Sequence, residues 1–219
     1  LEFTRSLCAM HSSIEANDIS VLNIVDASAK EVFAGPHITS YNGPSVEFLK
    51  GAGIRRVTFP VELSNASMVH IIKETGVSSE VFAHGKAPLA FSWRCYTSRH
   101  HGLTKTDCRH HCSLYPDGME LKTMDDEPVF SVNGTSVLSA AVYTLMESVE
   151  ELKEMGVEAI RISPQINGTE SLVALFRERI EGRIGPDEGM ARLRELGNEF
   201  CNGWFAGKAG KDILAKTFA

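Results

Sequence analysis

Cys95, Cys108 and Cys112 stand in a C-x12-C-x3-C pattern, so three of the chain's five cysteines fall within 18 of its 219 residues. Thiolates are soft donors, and a cluster of them selects zinc or iron–sulfur over magnesium or calcium. The x3 spacing lets two sulfurs reach one centre from a single turn, and the x12 loop brings the third back. Zinc sites generally use two close pairs, and this stretch has one. Three cysteines with a distant fourth ligand suit a cubane 4Fe–4S cluster better. Arg94, Arg99, Lys105 and Arg109 surround them against Asp107 alone, and cationic surroundings stabilise thiolates and an anionic cluster. The competing reading is three unrelated cysteines buried as small hydrophobes. His100-His101 and His110-His111 lie in the same stretch. Each pair offers at most one ligand or proton carrier to a common centre, because adjacent side chains diverge. Otherwise the pairs belong to a solvated, partly cationic loop.

The rest of the chain narrows the context. Hydrophobic residues make up 43% and charged residues 23%, a balance that argues against disorder or a fibrous protein. The net charge of −6 lacks the basic footprint of a nucleic-acid binder. No apolar run approaches the roughly 20 residues that span a bilayer. Leu1-Glu-Phe-Thr-Arg5 is neither an initiator methionine nor a signal peptide, so the expectation is a cytoplasmic protein whose start is missing. Five cysteines, with Cys8 and Cys201 far from the other three, are a poor match to a disulfide framework. The sequons at Asn65, Asn133 and Asn167 are then chance matches.

The elements that must position the cysteines follow a βα rhythm. Ser13–Asn17, Lys30–Gly35, Arg55–Glu62 and the stretch from Ser79 to His84 read as strands. Asp18–Val25, Asn42–Gly53 and Asn65–Glu74 read as helices, with Pro44 in a first turn and Ser64 as a cap. The spacing of the strands is that of a parallel sheet. Trp93 to about Ser139 interrupts the pattern, and its second half, Met119–Val132, reads as a hairpin around Asp125-Asp126-Glu127. A helix from Leu145 to Met155, a strand Glu158–Ser163, and helices Thr169–Glu181 and Asp187–Leu196 resume it. A complete eight-unit barrel needs about 250 residues. A barrel missing its first units, or an open doubly wound sheet, fits the length better, and the reading adopted is one α/β domain over 1–219, a partial TIM-barrel-like βα repeat lacking its N-terminal units. Residues 93–139 are an inserted Cys-rich loop and β-hairpin.

Other groups carry weaker signals. Glu15, Asn17, Asp18, Glu62 and Glu80 sit at or near strand ends, where barrel sites collect, although each alone is more often a cap or salt-bridge partner. Ser163-Pro-Gln165 ends a strand and is equally a pocket wall or a connection. Tyr115-Pro-Asp-Gly118 reads as a structural turn. Gly203, Gly207 and Gly210 follow no strand, and neither a Gly-x-Ser-x-Gly elbow nor a His-Glu-x-x-His helix occurs. Catalytic residues are therefore unassigned.

The stretch Glu80-Val-Phe-Ala-His-Gly-Lys-Ala-Pro-Leu-Ala-Phe-Ser-Trp-Arg-Cys95-Tyr-Thr-Ser-Arg-His-His-Gly-Leu103 resembles the collagenase-like peptidase family, in particular its members that serve anaerobic ubiquinone synthesis. Asp107-Cys108, Cys112, Glu15–Asp18, Gly35-Pro36, Phe59–Ser64, Tyr115–Gly118, Asn133-Gly134 and Arg161–Gln165 extend the likeness over nearly the whole chain. The resemblance implies a 4Fe–4S cluster held by Cys95, Cys108, Cys112 and a fourth ligand upstream of this chain; Cys8 does not match that ligand's motif. It also implies a heterodimer with a UbiU-like protein and O2-independent ring hydroxylation of a ubiquinone precursor. Peptidase activity, suggested by the family label alone, and a zinc-stapled binding scaffold are the competing functions.

Overall fold

A computed structural model describes residues 2–26, 28–166 and 168–214. Asn167 and the side chain of Lys105, both invoked above, lie outside what is described. In chain order the elements are α1 (Glu2–Met10), β1 (Ser13–Ala16), β2 (Glu31–Ala34), α2 (Gly43–Gly51), β3 (Ile54–Thr58), α3 (Asn65–Thr75), β4 (Ser78–Phe91), α4 (Tyr96–His100), β5 (Met119–Lys122), β6 (Pro128–Asn133), β7 (Ser136–Thr144), α5 (Val149–Glu154), β8 (Ala159–Ile162), α6 (Thr169–Ile180), α7 (Pro186–Arg194) and β9 (Phe200–Cys201). This is a mixed α/β protein. The residues cluster into two compact units, one of 1–82, 150–161 and 204–209, the other of 83–149, 162–203 and 210–219. Among the described residues no helix is long and apolar enough to cross a membrane.

In the first unit β1, β2, β3 and the start of β4 pair in parallel, as the βα spacing requires. Two caps set the intervening helices. Asn42 Oδ1 accepts from Ser45 N at 2.9 Å to start α2, with Pro44 in the first turn. Ser64 Oγ accepts from Ser67 N at 3.3 Å to start α3. Each satisfies a backbone donor that the helix cannot, an effect of about 1 kcal/mol. Gly76, at φ +60, closes α3 in the left-handed conformation that glycine adopts without strain. The helices bury Val46, Leu49, Met68 and Ile71, and the sheet buries Ala16, Val32, Ala34 and Val57.

Two expectations are corrected here. Asp18–Val25 is not an α-helix but a 3₁₀ turn over Ile19–Asn23, with Asp18 accepting from Ser20 N. Its β-branched Ile and Val and its Asn are poor helix formers, and the cap holds only one turn. The third strand ends at Thr58 rather than Glu62; Pro60 has no N–H to continue a ladder.

The second unit is antiparallel. The later part of β4 pairs with β7, β7 with β6, and β6 with β5, and short β9 adds to β7 in parallel. The hairpin expected over Met119–Val132 is β5–β6, and Asp126 takes the left-handed turn conformation at φ +67. The sequence reading missed β7, placing its first half at the end of the insertion and assigning no element to 140–144. That helix starts later, as a 3₁₀ turn at Met146–Ser148 followed by α5.

Candidate functional site

In the first unit, one face of the parallel strands gathers charge. Glu15, Phe33 and Arg56 lie in one row, and Thr58 and Glu80 in the next. Arg161 Nε donates to Glu80 Oε1 at 2.6 Å, and its Nη2 donates to Glu15 Oε2. Arg56 Nη2 approaches Glu80 Oε2 at 3.3 Å, and its guanidinium sits 4.4 Å above the Phe33 ring. Burial would raise the Glu15 pKa, but hydrogen bonds from Asn17 and Arg161 outweigh it and hold the carboxyl below its usual value. A Cβ on Gly35 would stand 2.2 Å from Asn17 Oδ1 and 2.7 Å from Glu15 Oε1, so this glycine leaves the room the network needs. Glu15 and Glu80 are therefore partners of arginines. Asp18 is a cap, and Glu62 accepts from Tyr41 Oη, which with burial pushes the phenol up to about 12.

The cysteine segment belongs to the second unit and is clamped by the β6–β7 turn. Ser92 N donates to Thr135 O at 2.8 Å, Tyr96 N to Gly134 O at 2.7 Å, and Gly134 N to Thr97 Oγ1 at 3.1 Å. Between these anchors Cys95 caps α4, its Sγ accepting from Ser98 N at 3.4 Å. Hydrogen bonds from the Ser98 side chain and backbone lower the thiol's pKa, favouring the thiolate that binds metal. A groove of 570 Å³ opens beside it, lined by Trp93, Arg94, Arg99 and Leu103 among others. Trp93 is 95% exposed.

The chain then returns. Cys108 precedes Arg109 and His110, both left-handed at φ 48 and 52, and Cys112 lies in the 3₁₀ turn His111–Leu114. Left-handed backbone costs non-glycine residues about 1 kcal/mol each. That turn packs on α4. The rings of His101 and His111 lie 5.0 Å apart, and His101 Nε2 bonds Tyr115 Oη at 3.1 Å. His111 Nδ1 bonds Cys108 O at 2.8 Å. These two histidines thus hold the returning loop against α4, a role that neither a ligand nor a solvated-loop reading anticipated. Arg109 is paired to Asp107 at 3.0 Å, which leaves Arg94 and Arg99 at the groove.

Cys95, Cys108 and Cys112 are free thiols and half-buried, whereas Cys8 and Cys201 are buried, and burial raises the Cys201 thiol to about 11. Among the described residues no three His, Cys, Asp or Glu side chains gather as ligands of a single metal ion. The chemistry of the donors nevertheless suits a cluster: three half-buried thiols, of which Cys95 is acidified and lines the groove with Arg94 and Arg99, while Cys112 lies in the turn packed on α4.

A pocket of 360 Å³ lies in the same unit, and sequence reasoning did not assemble it. Lys86, on β4, forms one wall, and its Nζ donates to Asp117 O at 2.9 Å. Pro116 and Asp117 belong to the Tyr115–Gly118 turn, Asn133 to the end of β6, and Ser163 to Gln165 to the loop after β8. The Tyr115–Gly118 turn is therefore a pocket wall as well as a turn, and Ser163-Pro-Gln165 faces the pocket. Two glycines permit the close approaches. Gly85, at φ +130, would place a Cβ 2.5 Å from Ser163 Cβ, and Gly118, at φ +85, one 2.3 Å from Ser131 Oγ. A glycine beside a lysine at a strand crossing was the available signal; which loop approached it was not readable.

A thiol-bearing clamp and a polar pocket thus lie in the same unit of the chain. The description of peptidase family U32 matches residues 9–213, and the chain belongs to that family. The tRNA hydroxylation protein P1 of Bacillus subtilis (strain 168) is 25% identical over 167 residues, 70% of this chain. The chain spans 38% of that protein's length. No solved structure matches.

Proposed function

We propose that this chain is a UbiV-like iron–sulfur component of an O2-independent hydroxylation system. Cys95, Cys108 and Cys112 would hold a 4Fe–4S cluster, the fourth ligand coming from outside this chain. When bound, such a cluster supplies one-electron chemistry or a Lewis-acidic iron. The chain's own residues acidify the Cys95 thiol, pin the loop through His101 and His111, and place Arg94 and Arg99 against an anionic group. The observation that carries the reading is the half-buried thiol set, with Cys95 acidified at the cap of α4 and Cys112 in the turn packed on that helix, in a family with a hydroxylation-named member. The finer reading is a partial barrel that works with a UbiU-like partner on a ubiquinone precursor. A second reading, favoured by the relative's name, is the same chemistry on a tRNA base. Peptidase activity has only the family label behind it.

Anaerobic purification with iron, sulfide and zinc analysis tests the reading. The expected product is brown, with absorbance near ~400 nm and about four irons. Cys95→Ala, Cys108→Ala and Cys112→Ala should each lose most of the iron, and Cys201→Ala should retain it. Stoichiometric zinc without iron would establish the scaffold instead. Oxygen-free assays of the chain, extended upstream and joined by a UbiU-like protein, separate the two substrates.

A further inference from the structure

The segments that line the 360 Å³ pocket come from five separate stretches of sequence, and two glycine contacts bring some of them together. Its polar groups are arranged unevenly. Lys86 spends one N–H on Asp117 O, leaving donors over. Burial lowers its pKa, while the carboxylates of Asp117 and Glu120 act in the opposite direction. Asn133 uses its amide nitrogen on Tyr115 O at 2.8 Å, which leaves its amide oxygen. The Gln165 backbone is held at both N and O by Thr169 Oγ1, at 3.0 and 2.7 Å. The side-chain amides of Gln165 and Asn198 make no hydrogen bond to any described residue, although both line the pocket. Leu138, Ile166 and Leu196 supply apolar surface. Convergent polar groups on apolar walls, at this volume, are the ordinary form of a small-molecule site.

The chemistry of the walls narrows the ligand. Among the described residues Lys86 is the one cationic side chain lining the pocket, and two carboxylates act on it, so a phosphate dianion is poorly matched. One delocalised negative charge fits better. The apolar side chains suit the faces of a single ring, and the unpaired amides suit oxygen substituents on it. At this volume the occupant has roughly ten to fifteen non-hydrogen atoms and no long hydrocarbon tail.

We infer that this pocket binds a small ring compound carrying one carboxylate, with Lys86 receiving the carboxylate and Gln165 and Asn198 the ring's oxygen substituents. The site goes beyond the proposed cluster and does not depend on it, so metal-free protein suffices to test it.

Calorimetric titration of the purified 219-residue chain with benzoate, 4-hydroxybenzoate, benzamide, inorganic phosphate and uridine provides the test. Benzoate should bind saturably, and benzamide, its neutral isostere, about tenfold or more weaker, because the charge-assisted bond to Lys86 is lost. 4-Hydroxybenzoate should exceed benzoate, and Gln165→Ala should erase that advantage. Lys86→Met should bring benzoate down to benzamide, with far-ultraviolet dichroism and melting checked against the parent. Should that variant not fold, the benzoate–benzamide comparison on the parent decides. Equal binding of the two, no saturable benzoate binding, or tighter binding of phosphate or uridine would each overturn the assignment. Cys95→Ala should bind benzoate like the parent, which separates failure here from failure of the cluster reading.

Discussion

The two units treat polar side chains in opposite ways. In the first, Glu15, Glu80, Arg56 and Arg161 are spent on one another, and Thr58 Oγ1 adds a bond to Glu80 at 3.3 Å. In the second, Lys86, Gln165 and Asn198 face a pocket with donors and acceptors to spare, and Cys95, one of three free half-buried thiols, lines a groove. Charges that satisfy each other hold a fold; groups held apart from partners by a rigid frame are available to something else. The glycines mark the same contrast. Gly35 makes room for an internal network, whereas Gly85 and Gly118 make room for loops that wall a cavity.

The largest expected effect sharpens the contrast by showing what an unpartnered group costs without a ligand. His84 is fully buried, bonds Thr144 Oγ1 at 3.1 Å through Nδ1, and finds no hydrogen-bond partner for Nε2 among the described residues. The rings of Phe176 and Phe200 lie 5.7 and 6.3 Å away, and burial lowers its pKa from 6.5 to about 4. Below pH 6.5 the unfolded chain takes up a proton that the folded chain refuses. Stability therefore falls with acid from pH 6.5 to about 4 and no further on this account, by about 3 kcal/mol in all. Urea unfolding at a series of pH values should show this slope. His84→Gln should flatten it, and an unchanged slope would assign the acid sensitivity elsewhere.

Breaking the internal network comes next. Arg161→Met leaves Glu15 with the neutral Asn17 amide and Glu80 with Arg56 and Thr58, so each carboxylate loses a charged partner. Fully buried pairs lose 3–5 kcal/mol on such a change, but the Arg161 side chain is 30% exposed, so about 2 kcal/mol is expected in urea unfolding. A loss under about 0.5 kcal/mol would mean that the network is ornamental to stability. Gly85→Ala should cost about 1–3 kcal/mol through its left-sided backbone and the contact with Ser163, and it should also abolish benzoate binding; retained binding would detach the pocket from the glycine. The smallest effect is Ser64→Ala, about 1 kcal/mol by thermal melting, with no change in ligand binding or iron.

The reach of the sequence can be read from the same residues. Ser64 and Asn42 were legible as helix starts because a cap and the turn it serves lie within three residues. Strands β1, β2 and β8 were legible because a short apolar run between turn residues has few alternatives. Asp18 misled, since a good cap precedes residues too poor in helix propensity to extend it. The soft-donor character of Cys95, Cys108 and Cys112 is a property of residue type, legible without any structure.

Tertiary structure decided what those residues meet. Spacing could not show that the rings of His101 and His111 would meet, tilted at 53°, where the cysteine loop returns to α4. Nor could it show that Arg109 would turn to Asp107, or that Lys86, Asn133 and Gln165 would share one cavity. Sequence specifies local conformation and donor chemistry because both act over a few bonds. Partnership between residues tens of positions apart is set by which backbones can approach, and here that rests on the missing Cβ atoms of Gly35, Gly85 and Gly118.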